Sequence, residues 1–295
     1  MMHPNEIRTD DAFVHRLLRD QAPHWADLPL HRIASTGTDN AIYRLGDRLS
    51  LRIPRRPSAV PLLAKELDWL PHFAGLPLEV PILRFRGRTE LGIAFDFGIF
   101  DWIDGQIATP QHIADRQAAA LALADFLKAL HRIETAGAPA AGAMNSRRGV
   151  ALTSLTAATL PAIDTLADEI DTVRARSLWH DAGGAGFGHA PVWLHGDLKA
   201  DNLIARGGLL YGVIDWGLSA VGDPAADYAA AWSWVDPSDQ GAFRDRLGLA
   251  DDDWLRAKGW ALYGAVIALS YYRGGRNEAL CRQSRLTLSR LGLLL

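Results

Sequence analysis

The chain has 295 residues, of which 48% are hydrophobic, and it carries a formal net charge of -3. A chain of this length and apolar content can bury a core large enough for one large domain or two smaller ones. The slightly acidic charge creates no strong positive field, so we expect neither nucleic acid nor an anionic membrane surface as a partner.

The single cysteine and the amino-terminal segment bear on the compartment. Cys281 has no second cysteine with which to form an intramolecular disulfide, which favours a reducing environment. The first residues lack the basic region and apolar stretch of a secretory signal. The most apolar later run, residues 260–270, is about half the roughly 20 residues that a membrane span requires. We therefore expect a cytoplasmic protein. We further expect a monomer or a weak homodimer.

The first ~100 residues have the pattern of a small sheet with helices. Helical spacing of apolar residues covers 9–21, and short alternating runs between 31 and 54 predict three antiparallel strands. Helical spacing returns over 59–73, and two further strand-like runs follow at 82–85 and 91–97. The pattern predicts a five-stranded sheet with one helix inserted after its third strand.

The remainder of the chain is mainly helical, with one exception. Two short apolar runs between residues 192 and 215, separated by Arg206-Gly207-Gly208, predict a compact hairpin preceded by a polar loop. The Ala-, Gly- and Pro-rich residues 136–148 and the Gly-rich residues 181–190 are interpreted as surface loops. Helices are predicted at 111–133, within 150–178, and at 225–234, 252–272 and 279–293.

The polar loop contains the residues best suited to chemistry. It places Asp197 and Asn202 together, and Asp215 ends the hairpin that follows. Phosphoryl transfer from a nucleotide requires oxygen ligands that hold magnesium against the phosphates and a carboxylate beside the attacking hydroxyl. These three side chains meet that requirement, with Asp197 accepting or orienting the hydroxyl proton and Asn202 and Asp215 ligating the metal.

The segment from His195 to Gly217, HGDLKADNLIARGGLLYGVIDWG, resembles the aminoglycoside phosphotransferase family. That family has a kinase-like catalytic loop of His-Gly-Asp, four residues and Asn, followed by an Ile-Asp-Trp or Ile-Asp-Phe metal motif, and GDPAADYA at 222–229 is a further signature. The resemblance implies an α+β fold with two protein-kinase-like lobes, a small antiparallel-sheet lobe and a mainly helical lobe. It implies a nucleotide-binding lobe at 1–98, a linker at 99–105 and a helical lobe at 106–295 with the acceptor site.

The resemblance also assigns roles inside the loop. Asp197 is implied to be the catalytic aspartate, and Asn202 and Asp215 the Mg²⁺ ligands. Lys199 is implied to neutralise charge on the transferred phosphoryl group, with simple solvent exposure as the alternative. His195 is interpreted as a brace for the loop, and Asp227 as a support for its backbone.

The amino-terminal half should hold ATP or GTP. The resemblance places the phosphate-contacting cation at Arg52 and its acidic partner at Glu66; kinases ordinarily have lysine at the first position. The loop between the first two strands could bond the phosphates through backbone amides and hydroxyls, although an ordinary hairpin is the alternative; its candidate residues are Thr36, Gly37, Thr38 and Asn40. The linker should contact adenine at Ile99, Phe100 and Trp102, centred on Phe100.

The acceptor is less constrained by the sequence. An aminoglycoside-like antibiotic is the first expectation, and a macrolide, choline, homoserine or another metabolite alcohol is the alternative. A polycationic acceptor would require carboxylates. Asp236, Asp239 and residues 251–253 are candidates, but the last three more readily cap a helix.

Two hypotheses lie outside small-molecule phosphorylation, and the sequence favours neither. A protein kinase requires a long activation segment, and eleven residues separate Asp215 from Asp227. A non-catalytic binding module would be favoured by loss of Asp197, Asn202 or Asp215, all of which are present.

Overall fold

A computed structural model describes residue 7 and residues 9–33 and 39–295. Its amino-terminal part is a five-stranded sheet in the order β1-β2-β3-β5-β4, in which every neighbouring pair is antiparallel. Helix α1 precedes the sheet, and helix α2 follows its third strand, as the sequence predicts. The bounds are α1 Asp11–Gln21, β1 Leu30–Arg32, β2 Asn40–Leu45, β3 Leu49–Pro54, α2 Val60–Trp69, β4 Leu83–Glu90 and β5 Ala94–Asp101.

The β4–β5 hairpin differs from the prediction in both of its strands. Residues 91–93 form the turn, where Gly92 has a φ of 78°, so the predicted strand at 91–97 begins too early. It also ends too soon, because β5 continues through Gly98 to Asp101, beyond the predicted strand and into the predicted linker. A Cβ at Gly98 would lie 2.6 Å from Cδ2 of Leu67 and from the Phe100 ring. Glycine at this position therefore lets α2 pack directly on the sheet.

The carboxy-terminal part is mainly helical, and its predicted helices are confirmed apart from their ends. Helix α8, which has the polar sequence QGAFRDRL and buries Phe243, was not predicted because it lacks an apolar stripe. The bounds are α3 Arg116–Leu130, α4 Thr156–Thr165, α5 Thr172–Gly184, α6 Ala225–Tyr228, α7 Ala230–Ser233, α8 Gln240–Leu247, α9 Asp251–Tyr272 and α10 Glu278–Arg290. Across the residues that the structure describes, no helix combines the length and apolar character needed to cross a bilayer.

Two small antiparallel ladders interrupt these helices. The predicted hairpin is present as β8 (Leu203–Arg206) and β9 (Leu209–Val213), and β6 (Gln106–Ile107) pairs with its outer side. Strand β7 (Val192–Leu194) pairs with β10 (Ala220–Gly222). The loop from β7 to β8 and the segment from β9 to β10 therefore start and end on shared ladders, which brings them side by side.

The packing of α2 ties the two parts of the chain together. Leu63 and Leu67 of α2, with Phe73 just after it, belong to the large core of the carboxy-terminal helices, while α1 and most of the sheet form a second core. The Phe73 ring stacks on Trp216 with their centroids 4.4 Å apart. Strand β5 also crosses the expected boundary at residue 98, leaving residues 102–105 as the irregular connection. The division at 98 and 106 stays a prediction.

We predict that Gly98→Ala lowers the free energy of unfolding by about 1–3 kcal/mol, because the new methyl group has to displace Leu67 or the Phe100 ring. Gly241→Ala in α8 is the matched control, since nothing lies within 4 Å of its Cβ position. It should leave stability unchanged or raise it by up to about 1 kcal/mol. Urea unfolding of both variants measures the difference, and equal stabilities would contradict the packing argument.

Candidate active site

The backbone of the loop after β7 is held by one buried carboxylate. Asp227 accepts hydrogen bonds from the backbone N–H of His195 at 2.6 Å and of Gly196 at 2.8 Å, one on each carboxylate oxygen. Gly196 has a φ of 84°, and a Cβ there would lie 2.6 Å from the Leu218 carbonyl oxygen. Burial raises the pKa of Asp227, whereas His195 and the two N–H groups oppose that rise. The support predicted for Asp227 is thus present.

His195 braces the same loop from inside the core. Its side chain is fully buried, its Nδ1 accepts from the Asp197 backbone N–H at 3.2 Å, and its Nε2 lies 3.0 Å from the Ile214 carbonyl oxygen. These partners assign the proton to Nε2. Burial lowers the pKa of His195, so the ring is neutral and structural.

The Asp197 carboxylate is the centre of the polar cluster. Its Oδ2 accepts from Lys199 Nζ at 2.8 Å and from Asn202 Nδ2 at 2.9 Å, and Asn202 Nδ2 also donates to the Asp197 carbonyl at 2.8 Å. Burial alone would lower the pKa of Lys199, but the nearby carboxylates of Asp197, Asp215 and Asp201 raise it. Lys199 is therefore a charged partner of Asp197 rather than a freely solvated side chain.

Asp215 lies just after β9 in a left-handed conformation with a φ of 68°, which is rare for residues other than glycine and is found at functional sites. Its side chain keeps an exposed surface, yet the surrounding protein desolvates it, and this desolvation and then the charge of Asp197 raise its pKa. Among the described residues, no basic side chain forms a salt bridge with Asp215. A cation bound here would offset the repulsion between the two carboxylates.

The donor set can accommodate Mg²⁺. Both contacts of the Asn202 amide described above use its nitrogen, which leaves its oxygen as an available acceptor beside the loop. Magnesium is usually held by one or two carboxylates together with substrate phosphates and water. In the described part of the chain, no group of three or more His, Cys, Asp or Glu side chains is arranged to bind a metal without such a substrate.

A buried ion pair joins the sheet to α2, as the resemblance implies. Arg52 of β3 donates through Nη1 to Glu66 Oε1 at 2.5 Å, and the Trp216 backbone N–H lies 3.4 Å from the same oxygen. Burial raises the pKa of the fully buried Glu66, and the Arg52 charge opposes that rise. The Arg52 guanidinium also covers the Phe100 ring at 4.7 Å from its centroid. Glu66 thus connects Arg52 to the residue that follows Asp215.

The predicted phosphate-covering loop is only partly described. Thr36, Gly37 and Thr38 lie outside the described residues. Asn40 begins β2 opposite Pro54, and its Oδ1 is buried without a donor from any described residue.

The predicted adenine contacts require a correction. Ile99 and Phe100 lie inside β5 between β3 and β4, and both side chains are completely buried. A ring with no exposed surface cannot stack on a bound base, so Phe100 instead supports Arg52. Backbone outside the sheet begins at Trp102, whose N–H donates to the Arg48 carbonyl at 2.8 Å and whose half-buried ring lies 4.2 Å from the Arg44 guanidinium carbon. The resemblance assigns residues 99–105 to the linker, whereas β5 runs to Asp101.

A cavity of about 480 Å³ opens beside Asp197 and Lys199 and extends between the loop before α4 and helices α9 and α10. Residues that the sequence analysis missed line it, including Arg148, Trp260, Tyr263 and Tyr271. Arg148 comes from the loop before α4 and the three aromatic residues from α9, so no single motif joins them.

The acidic candidates for the acceptor site lie elsewhere. Asp236 pairs with Arg116 at 2.7 Å, and Asp253 pairs with Arg256 at 2.6 Å. Asp251 to Asp253 form the first turn of α9, as the capping alternative predicts. Neither they nor Asp239 are among the described residues that line the cavity.

The geometry brings one carboxylate beside a cavity, an amide in contact with that carboxylate, and a second carboxylate next to a buried Arg–Glu pair. The sequence model of the Phosphotransferase enzyme family (APH) matches residues 31–260. The chain therefore belongs to this phosphotransferase family. None of the curated protein sequences compared with the chain matches it.

Solved structures share the fold over nearly the whole chain. The GDP complex of wild-type aminoglycoside 2'-phosphotransferase-IIIa has a TM-score of 0.70 at 19% identity, covering 96% of this chain and 99% of that one. The streptomycin–ATP complex of APH(2")-IIa has a TM-score of 0.63 at 20% identity, with 96% and 97% covered. The apoenzyme of macrolide 2'-phosphotransferase MphH from Brachybacterium faecium has a TM-score of 0.60 at 19% identity, with 93% and 96% covered.

We predict that Asp227→Asn lowers the free energy of unfolding by about 2 kcal/mol or more, because an amide NH₂ would face a buried backbone N–H that has lost its acceptor. Thermal and urea unfolding without ligand measure the loss. Asp201→Asn, an exposed residue of the same loop, is the control and should change little. A variant as stable as wild type would show that Asp227 does not hold the loop.

Proposed function

We propose that the protein is a magnesium-dependent phosphotransferase that moves the γ-phosphoryl group of ATP or GTP to a hydroxyl group of a small molecule. The observation that carries the proposal is the position of Asp197, which lines the cavity and also contacts Asn202 and Lys199. One carboxylate can thus touch an acceptor in the cavity while it lies beside the groups suited to phosphates and metal.

The chemistry follows from these positions. The acceptor oxygen attacks the γ-phosphorus, the bond from the γ-phosphorus to the β–γ bridging oxygen breaks, and the nucleoside diphosphate leaves. Asp197 receives or orients the hydroxyl proton, and Lys199 offsets negative charge on the transferred group. Arg52, held by Glu66, would contact the nucleotide phosphates from the sheet side.

Asn202 and Asp215 would hold Mg²⁺, which, when bound, neutralises charge on the β- and γ-phosphates. The nucleotide would lie between a lobe at 1–98 and a helical lobe at 106–295, near the connection after β5. The free amide oxygen of Asn202 and the lack of a salt-bridge partner for Asp215 among the described residues support this placement.

The acceptor named by the resemblance is an aminoglycoside-like antibiotic. Macrolides are the second candidate, because a macrolide 2'-phosphotransferase is among the similar structures. Choline, homoserine and other metabolite alcohols complete the panel that a screen should contain.

We predict that Asp197→Asn lowers kcat by about 10²–10⁴-fold, because the amide cannot accept the hydroxyl proton. Binding of ATP and Mg²⁺ should remain. Nucleoside diphosphate release in the presence of an accepted alcohol gives kcat, and calorimetry gives nucleotide affinity. Asp245→Asn, on the exposed side of α8, is the control. Full transfer activity in Asp197→Asn would refute its role.

We predict that Mg²⁺ increases the thermal stabilisation that ATP gives to the wild type, and that Asp215→Asn loses this magnesium-dependent increment. A ligand at about 100 times its Kd stabilises by about 2.7 kcal/mol, which a thermal shift detects readily. For each protein, the melting temperature is measured in ATP plus EDTA and in ATP plus Mg²⁺. The difference between these two conditions does not depend on the stability of the free protein. An equal increment in both proteins would remove Asp215 from the metal site.

A further inference from the structure

The charges around the cavity do not suit a polycation. Among the described residues that line it, Asp197 carries the one carboxylate, and that carboxylate is already paired with Lys199. The remaining charged group in the lining is the guanidinium of Arg148. An aminocyclitol with several ammonium groups would meet a net positive wall, which disfavours binding.

Arg148 lacks the partners that a partly buried cation needs. In the described part of the chain no carboxylate forms an ion pair with it, and its Nε is buried without an acceptor. Its guanidinium carbon lies 5.6 Å from the centroid of Tyr263, which is the one favourable side-chain contact that the structure records for it. A buried donor without an acceptor is costly, and an anion in the cavity would remove that cost.

The segment that carries Arg148 is held in place, although its composition predicted a plain surface loop. Asn145, 1% exposed, accepts from the Gly142 N–H at 2.8 Å and donates to the Arg148 carbonyl at 2.7 Å. Ser146 and Arg147 between them both adopt left-handed conformations, with φ of 53° and 60°. Such backbone is strained in residues other than glycine, so the surrounding fold stabilises this presentation of Arg148.

The wall formed by α9 is mainly apolar and aromatic, whereas α10 contributes the polar side chains of Gln283, Ser284 and Thr287. Helix α9 contributes Trp260, Tyr263 and Tyr271 together with small side chains such as Ala261 and Ala265. Trp260 is 3% exposed, and its indole N–H is buried without an acceptor among the described residues. The wall therefore offers aromatic surface and a second unpaired donor, and both suit a ligand with an apolar body and an oxygen-rich anionic end.

We propose that the acceptor is an alcohol that bears a carboxylate on an apolar body, with the carboxylate bound to Arg148 and the hydroxyl directed to Asp197. This assignment rests on the proposed phosphoryl transfer and names its substrate class. The hydroxyl oxygen forms the new bond to the γ-phosphorus, its proton goes to Asp197, and the nucleoside diphosphate leaves, while the carboxylate takes no part in bond making.

The test uses phenyl-substituted hydroxy acids whose hydroxyl and carboxyl carbons are adjacent or progressively farther apart, beginning with mandelate and phenyllactate. Each acid is paired with its neutral amide, and kanamycin represents the polycations. Product mass and kcat/KM are measured with ATP and Mg²⁺, and binding of each compound is measured by calorimetry without nucleotide. We expect at least one acid to be preferred over its amide by about tenfold or more, as a charge-assisted hydrogen bond provides.

Variants on the same loop separate charge from folding. Arg148→Gln should reduce the acid-over-amide ratio to near one, and Arg148→Lys should retain part of it. In the wild type, the exposed Arg147 guanidinium donates to the Ser154 carbonyl. Arg147→Gln should therefore keep the wild-type ratio. The proposal is overturned if Arg148→Gln leaves the acid-over-amide ratio unchanged or if the wild type uses acids and amides equally. It is also overturned if kanamycin is preferred, or if no acid binds at millimolar concentration.

The nucleotide measurements keep the two proposals apart. If ATP and Mg²⁺ give no thermal shift, the phosphotransferase function fails, and the calorimetric acid-over-amide ratio still judges the role of Arg148. If the shift is present and the ratio is near one, the phosphotransferase function survives and the substrate class is wrong.

Discussion

The position of the loop that follows β7 depends on a single buried carboxylate. Asp227 binds two consecutive backbone N–H groups, so the loop leaves β7 in one direction and His195 is drawn into the core. The neutral imidazole then fixes the Asp197 N–H on one side and the Ile214 carbonyl, just before Asp215, on the other. Asp197 and Asp215 are therefore held close together by neutral hydrogen bonds and not by their own charges, which repel.

Some charged side chains of the site have no counter-ion among the described residues, so a bound ligand would have to balance their charge. Asp197 is compensated by Lys199, and Glu66 by Arg52, whereas Asp215 has no such partner among the described residues. Arg148, which lines the cavity together with Asp197, has a positive charge and no counter-ion among the described residues. A bound metal would satisfy the first group and an anionic acceptor the second, so the two charges left unpaired describe two different ligands.

The sequence predicted the parts of the site that lie within one short segment and missed those that depend on packing. Asp197, Asn202 and Asp215 share one loop and one hairpin, so their proximity follows from spacing alone. The strand predicted at 91–97 stops short of Asp101, and the close packing of Leu67 of α2 against Gly98 is a tertiary contact that no local pattern shows. Arg148 and Trp260 meet at the cavity from positions more than 100 residues apart, and no local pattern encodes that meeting.

Helix α2 contacts both Arg52 and the segment that carries Arg148. Glu66 faces Arg52 and the Trp216 N–H, while its neighbour Lys65 donates to the Met144 carbonyl at 3.0 Å, in the segment that carries Arg148. Burial lowers the pKa of Lys65 to about 8, which shows how closely that contact is enclosed. Because a helix turn moves as a unit, a shift of α2 that displaced Glu66 from Arg52 would also pull on the Arg148 segment. Adjacent residues of one helix thus hold Arg52, which would contact the nucleotide phosphates, and the segment that would present Arg148 to an acceptor.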